Sequence, residues 1–363
     1  MRTVEEASRT PCVSIIPGPN ALRSEDGIAP DRTQSGLTRT VSSSAFYVVA
    51  DSRHFVGLVA LLNSLRLVGH DEPIYVGDCG LADGQHERLG EHVTLVPITG
   101  SRAPHLVKTI VPLAYPADVM LLIDGDMIVT RSLAPLLEEA RAGRLVAFVD
   151  RISHRFDERW SELLGLGPLR RQSYVNSGLV AAESQLGTTL LHQIAEGCAR
   201  IDVTRTMVAN GRSEYPFYYL DQDVLNAVLA STPSDRLQLL DHRLAPLPPF
   251  AGVRLVDDVS LRCSYEDGLE PYVLHHILRK PWLEPTRWNV YSHLLARLVL
   301  DDDVTLRLAP DELPLRLRPG AIAWLEKRRS DVAAIGRSMR GRLGIRGRLT
   351  GHVRSAGEPA PEE

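Results

Sequence analysis

The chain has 363 residues, is 24% charged and 44% hydrophobic, and carries a formal net charge of −4, the composition of an ordinary globular protein. That charge is too small to imply a nucleic-acid partner for the molecule as a whole, and no stretch supplies the roughly 18 uninterrupted apolar residues of a membrane span. Glu5 and Glu6, and the prolines Pro11 and Pro17 around Val13, Ile15 and Ile16, deny the N-terminus a signal-peptide core. Cys12, Cys79, Cys198 and Cys263 lie far apart with no CxxC or Cys/His spacing, so they read as buried or incidental thiols, and a cytoplasmic protein is expected.

Residues 1–44 are rich in Ser, Thr, Arg, Pro and Gly without a sustained period and predict a disordered leader. Order is expected from Ala45, where Ala45-Phe46-Tyr47-Val48-Val49-Ala50 forms a short apolar, β-favouring run. Phe55, Leu58, Val59, Leu61, Leu62, Leu65 and Val68 then recur at helical spacing up to Gly69. Further strands are predicted over 73–77, 93–96 and 119–123, with helices over 85–91 and 106–113 between them. Beyond these, strands are expected at 145–149, 173–182, 237–240 and 251–255, and helices at 133–142, 188–201, 221–229 and 288–300. Buried strands alternating with amphipathic helices imply an α/β fold, a mostly parallel central sheet with helices on both faces. The domain predicted by this alternation spans 45–300.

The segment 301–363 differs. Arginines and lysines crowd it from Arg316 to Arg354, opposed within that stretch by Glu326 and Asp331 alone, while Leu325, Val332, Ile335, Met339 and Leu343 could share one helical face. A basic amphipathic helix of this kind can lie on anionic lipid, a peripheral membrane contact. The alternative is a helix packed on the rest of the molecule with solvated arginines, followed by a flexible end.

The most informative stretch is Leu121-Leu122-Ile123-Asp124-Gly125-Asp126. Two carboxylates follow an apolar strand, where open α/β sheets bind their ligands. Alternate residues of an extended chain face the same side, so Asp124 and Asp126 can share one divalent cation that relieves their repulsion. Such cations are held by one or two carboxylates plus substrate phosphates. The plain alternative is an acidic turn with solvated aspartates.

Three other stretches carry polar groups in unusual places. Asn176-Ser177-Gly178 interrupts a β-favouring run, as happens where a ligand or another backbone comes close, or at a simple β-bulge. Asp221-Gln222-Asp223 opens a predicted helix, either as capping acids or aimed into a cleft. In His275-His276-Ile277-Leu278-Arg279-Lys280-Pro281-Trp282 a neutral imidazole could complete a metal's coordination and Lys280 could neutralise a phosphate, or the histidine could be structural.

In this order, the four stretches resemble the retaining family-8 glycosyltransferases of the GT-A fold, the group of glycogenin and bacterial lipopolysaccharide galactosyltransferases. The resemblance covers about 46–300. Ala50-Asp51, followed by a helix containing Asn63-Ser64-Leu65, is also similar to that family's nucleotide-binding start. The resemblance implies a Rossmann-like GT-A fold and transfer of a hexosyl group, with retention, from a nucleoside diphosphate sugar, a UDP-hexose first among them. The acceptor is a hydroxyl of a glycan, glycolipid or small molecule. It also implies that Asp124, Asp126 and His275 bind Mn²⁺ or Mg²⁺. Asp51 then lies near the base or ribose, Lys108 and Lys280 lie near phosphates, and Asn176, Asp221 and Gln222 line the sugar pocket. The sequence departs from the family's His-x-x-Gly-x-x-Lys-Pro-Trp ending: Leu274 stands at the histidine position and Ile277 at the glycine position. Shortening by one residue restores the match with His275, and His276 is the fallback.

Two other classes remain beside this expectation. A sugar nucleotidyltransferase shares the sheet and acidic metal site but carries glycines after its first strand, where this chain reads Ala50-Asp51-Ser52-Arg53-His54-Phe55. A non-catalytic glycan- or nucleotide-binding relative finds its support in the irregular histidine motif.

Overall fold

A computed structural model describes residues 44–99 and 103–321, with Trp324, Leu325, Arg328, Arg329 and Val332 beyond them. These all belong to the unit from Val41 to Glu363. The expected leader, apart from Ser44, lies outside the described residues, as do Ile335, Met339 and Leu343 of the basic tail. Ser44 itself is buried and opens the first strand.

In chain order the elements are β1 (Ser44–Ala50), α1 (Phe55–Leu67), β2 (Ile74–Asp78), α2 (Asp83–Leu89), β3 (Thr94–Pro97), α3 (Ile110–Ala114), β4 (Val119–Ile123), β5 (Met127–Val129), α4 (Ala134–Arg141) and β6 (Leu145–Val149). There follow α5 (Trp160–Leu164), β7 (Val175–Glu183), α6 (Ser184–Ala199), α7 (Asp221–Ser231), β8 (Leu237–Leu240), β9 (Arg254–Asp257), β10 (Arg262–Ser264), β11 (Val273–His275) and α8 (Val290–Leu300).

Seven strands form one sheet in the order β3-β2-β1-β4-β7-β6-β8. The pairs β3/β2, β2/β1, β1/β4 and β6/β8 are parallel, and β7 runs antiparallel to both its neighbours. The α/β fold with a mostly parallel sheet is therefore as expected from the alternation of buried strands and helices. The period of two is visible in β1: Phe46, Val48 and Ala50 enter the core on one face, and Ala45 and Tyr47 enter the core on the other. Both faces are covered. Leucines of α1, α4 and α8 pack on the first, and α5, α6 and α7 pack on the second with Trp160, Leu190 and Val224. Each large apolar side chain so buried contributes about 1.5–3 kcal/mol.

The core does not stop at Leu300, since Leu306, Leu308, Leu313 and Leu317 join the first cluster. Asn63, fully buried in α1, fixes that extension: its Nδ2 donates to the carbonyls of Leu298 (2.6 Å) and Leu306 (2.7 Å), and its Oδ1 accepts from Leu306 N (2.9 Å). Ser64 beside it bonds Leu61 O and Val129 N. These two residues, in the helix that resembles the family's nucleotide-binding start, are both bonded within the core.

Some elements differ from the sequence reading. The helix expected over 106–113 is a 3-10 turn at Pro104–Leu106 followed by α3, with Lys108 between them. Pro112 explains the split, because it removes the N–H that would bond the Lys108 carbonyl in a continuous helix. The short elements β5, α5, β10 and β11 were not anticipated. Cys198 and Cys263 are buried, as expected of structural thiols, and Cys12 lies outside the described residues. Among the described residues no helix is long and apolar enough to cross a membrane. In the tail Trp324, Leu325 and Val332 are helical and exposed.

Candidate active site

Asp124 follows β4 directly, and its N–H donates to Gly178 O of β7 (2.8 Å), which holds the turn Asp124-Gly125-Asp126 against the neighbouring strand. β5 then pairs antiparallel with β11, placing His275 opposite Met127. That small two-stranded sheet carries the imidazole to the carboxylates. His275 Nε2 lies 3.1 Å from Asp126 Oδ1 and 3.7 Å from Asp124 Oδ2.

The outer oxygens of the two aspartates are engaged by lysines. Lys108 Nζ is 2.7 Å from Asp124 Oδ1 and 3.1 Å from Asp221 Oδ2. Lys280 Nζ contacts Asp126 Oδ2 and donates to His276 O (2.7 Å). One oxygen of each aspartate is left facing the imidazole. Asp126 Oδ1 is buried without a well-aligned hydrogen-bond donor, although His275 is near. Such an orphan acceptor costs about 1–3 kcal/mol unless a partner arrives. The ligand atoms of Asp124, Asp126 and His275 lie within 4.8 Å of one another. Two carboxylate oxygens and an imidazole nitrogen suit a divalent cation.

Burial opposes every charge here, and the partners decide the outcome. For Asp126 burial is outweighed by His275 and Lys280, which hold its carboxyl well below the ordinary carboxylate range. For Asp124 burial prevails over the pull of Lys108, helped by repulsion from Asp126, and its carboxyl is raised. Lys108 itself is held above the usual lysine range, because Asp124 and Asp221 outweigh its burial. His276 faces the other way, with its ring between Phe250 and Tyr291, and burial pushes it down to about 4. The structure thus brings His275, and not the fallback, to the carboxylates.

Glycines make this approach possible. A Cβ on Gly178 would stand 2.5 Å from His275 Cε1 and from Met127 Cε. The strand is bulged there: Ala147 opposes Val180 while Phe148 opposes Asn176, so Ser177, Gly178 and Leu179 are extra residues. The β-bulge reading of Asn-Ser-Gly holds, and what comes close to its glycine is the His275 side chain. Gly57 of α1 plays the matching part below, where a Cβ would meet Trp282 at 2.5 Å and Gly125 O at 2.6 Å. Trp282 Nε1 donates to Arg53 O (2.8 Å) and seats the Lys280-Pro281-Trp282 turn on the start of α1.

Beside the carboxylates lies a polar group of three. Asn176 Nδ2 donates to Asp150 Oδ2 (2.9 Å) and Gln222 Oε1 (3.2 Å), and Gln222 Nε2 reaches Asp150 Oδ2 (3.3 Å). Asp221 is linked instead to Asp124, through Lys108. Leu220, just before α7, has φ 55° and ψ −127°, a strained conformation for a branched residue. The strain is held by Asp223, which is fully buried. It accepts from Arg155 Nε (2.6 Å) and Nη2 (2.9 Å), Tyr174 OH (2.7 Å) and Tyr219 N (2.7 Å). Asp51 caps the turn after β1, accepting from Arg53 N and His54 N (3.1 Å each), with His54 Nδ1 at 2.7 Å. It sits at the same end of the sheet as Asp124, but bonds its own turn.

Asp150 and Arg155 were missed in the sequence. Asp150 had a readable signal, a carboxylate immediately after the apolar run Leu145–Val149, the same pattern as Asp124 after Val119–Ile123. Arg155 had none.

No family model and no curated protein matches the chain. Among solved structures it is similar to the galactosyltransferase LgtC in complex with donor and acceptor sugar analogs, at 18% identity and a TM-score of 0.47, covering 72% of this chain and 98% of that one. It is also similar to the bifunctional glycosyltransferase WbbM (14%, TM-score 0.46, 72% of this chain and 51% of that one). A third is the glycosyltransferase GlyE of Streptococcus pneumoniae (16%, TM-score 0.45, 71% of this chain and 60% of that one). Likenesses this distant do not reach to chemistry, which must be read from the site.

Proposed function

We propose that the chain is a metal-dependent glycosyltransferase, transferring a hexosyl group from a nucleoside diphosphate sugar, with a UDP-sugar first in line, to an acceptor hydroxyl. The observation that carries this reading is the group Asp124, Asp126 and His275, flanked by Lys108 and Lys280, at the C-terminal ends of parallel strands. Such a group suits a ligand that is itself anionic. Three carboxylates including Asp221 face two lysines, so a bare anion gains little there. A diphosphate that brings its own cation fits the charge.

Asp124, Asp126 and His275 would hold Mn²⁺ or Mg²⁺, whose chemistry there is Lewis-acid stabilisation of the departing diphosphate. Lys108 and Lys280, each resting on an aspartate in the ligand-free protein, lie within a side chain's reach of phosphate oxygens and add fixed positive charge beside the leaving group. Asn176 and Gln222, tied together with Asp150, present amides to the sugar hydroxyls and orient the reacting carbon. Asp51 faces the base or ribose from the end of β1. Retention at the anomeric carbon is implied by the resemblance, and for a retaining enzyme these residues offer no disengaged carboxylate to form a covalent intermediate. Asp221 is paired with Lys108, Asp223 is closed off by Arg155 and Tyr174, and Gln222 is an amide. Attack by the acceptor on the leaving-group side then becomes the economical course.

The test is incubation with Mn²⁺ and a panel of nucleotide sugars without acceptor, reading free nucleoside diphosphate. Slow release from one donor, abolished by chelation, is expected. Turnover of every donor alike, or release indifferent to chelation, contradicts the proposal.

A further inference from the structure

The segments 151–171 and 203–219 lie beside the Gln222 end of the site and contain seven arginines, Arg151, Arg155, Arg159, Arg170, Arg171, Arg205 and Arg212, against four carboxylates, Asp157, Glu158, Glu162 and Glu214. In a chain of net charge −4 this is a local reversal of sign. Within it is a cavity of about 470 Å³ whose walls include Arg159, Arg205, Arg212 and Tyr215, with Glu214 its one carboxylate.

The cavity is built on a fixed frame. Two 3-10 turns, Val203–Arg205 and Met207–Ala209, close on buried Thr206, whose carbonyl accepts from Gly211 N (2.8 Å). A Cβ on Gly211 would stand 1.8 Å from Arg205 O, so only glycine permits this wall. Tyr215 OH accepts from Asp202 N (2.9 Å), and Met207 N donates to Tyr218 O (3.0 Å). The Arg205 guanidinium lies 4.5 Å from the Tyr215 ring centroid, which presets its direction. Arg159 donates to Glu214 O (2.7 Å) and pairs with Asp157, which is not a wall of the cavity. Neither Arg205 nor Arg212 has a carboxylate partner among the described residues.

Two unpaired guanidiniums with a third beside them, on a rigid wall, match the fork geometry of an oxyanion. Arg155 joins this wall to the reaction centre, since the same guanidinium that grips Asp223 also donates to Tyr215 O (3.2 Å) and Pro216 O (3.3 Å). We propose that this cavity is an acceptor subsite that binds an oxyanion, so that the acceptor is an anionic sugar or glycan bearing a phosphoryl or carboxylate group. The proposal rests on the glycosyltransferase reading for the word acceptor, whereas oxyanion binding stands by itself.

The experiment titrates the full chain, free of metal and donor, with glucose, glucose 6-phosphate and glucuronate, following binding by ligand-observed magnetic resonance at low salt. At least one of the anionic sugars is expected to bind about tenfold or more tighter than glucose, and which one identifies the group. The Arg205→Gln/Arg212→Gln double variant is expected to lose that preference, and Arg212→Gln, whose side chain is exposed, to lose part of it without harm to the fold. Equal binding of all three sugars, no binding of either anionic sugar, or a preference that survives in the double variant overturns the proposal. Donor hydrolysis measured in parallel separates the two readings. Its absence counts against the transferase, while its presence with no anion preference counts against the subsite alone.

Discussion

The two sides of the cleft are built by opposite means. On the donor side, Asp124 and His275 come from the ends of β4 and β11, and their positions follow from strand register and from glycines that make room. On the proposed acceptor side, 3-10 turns and short helices are fastened to one buried carboxylate, Asp223, by Arg155. The first region places charge by backbone geometry and the second by a side-chain clamp. Failure should therefore look different on the two sides: local loss of metal on one, loss of both loop order and stability on the other.

The largest effect is expected for Asp124→Asn. Metal-dependent turnover should fall by about 10²–10³ or more, with melting close to that of the parent, because the turn is held by the backbone bond to Gly178. Donor hydrolysis and a thermal melt check it, and full activity would remove Asp124 from the site. Arg155→Ala should destabilise the fold by about 3–5 kcal/mol by leaving Asp223 charged and buried, read by chemical denaturation. A change below that of a surface pair would mean that the clamp is not what holds the acceptor side. The smallest effect is expected for Gly178→Ala, where the new methyl displaces His275. Metal affinity should drop about 10–100-fold, as measured by Mn²⁺ titration, while the sheet persists. Unaltered affinity would detach the bulge from the metal site.

The same contrast governs what was legible beforehand. Runs such as Val119–Ile123 announce themselves by composition, and a carboxylate after such a run points to the ligand end of the sheet, so Asp124 and Asp126 could be placed from sequence. The choice between His275 and His276 could not be made from the residues alone. It depends on the pairing of β11 with β5, two strands of three residues each, too short to carry a period. That Asn63 ties α1 to the chain beyond Leu300 could not be read beforehand, because its partners, Leu298 and Leu306, lie far along the chain. Arg155 was invisible for the same reason. Its value comes from Asp223, which as a first-turn acid already had a sufficient local explanation, and from the distant carbonyls of Tyr215 and Pro216.

The central claim is that Asp124, Asp126 and His275 hold a cation on the donor's diphosphate. Its most direct test is calorimetric binding of the donor identified by the hydrolysis panel, with and without Mn²⁺, to the parent chain and to Asp126→Asn. The account predicts that Mn²⁺ tightens donor binding to the parent by about tenfold or more and leaves the variant unaffected. Equal metal enhancement in both proteins, or none in the parent, would contradict it.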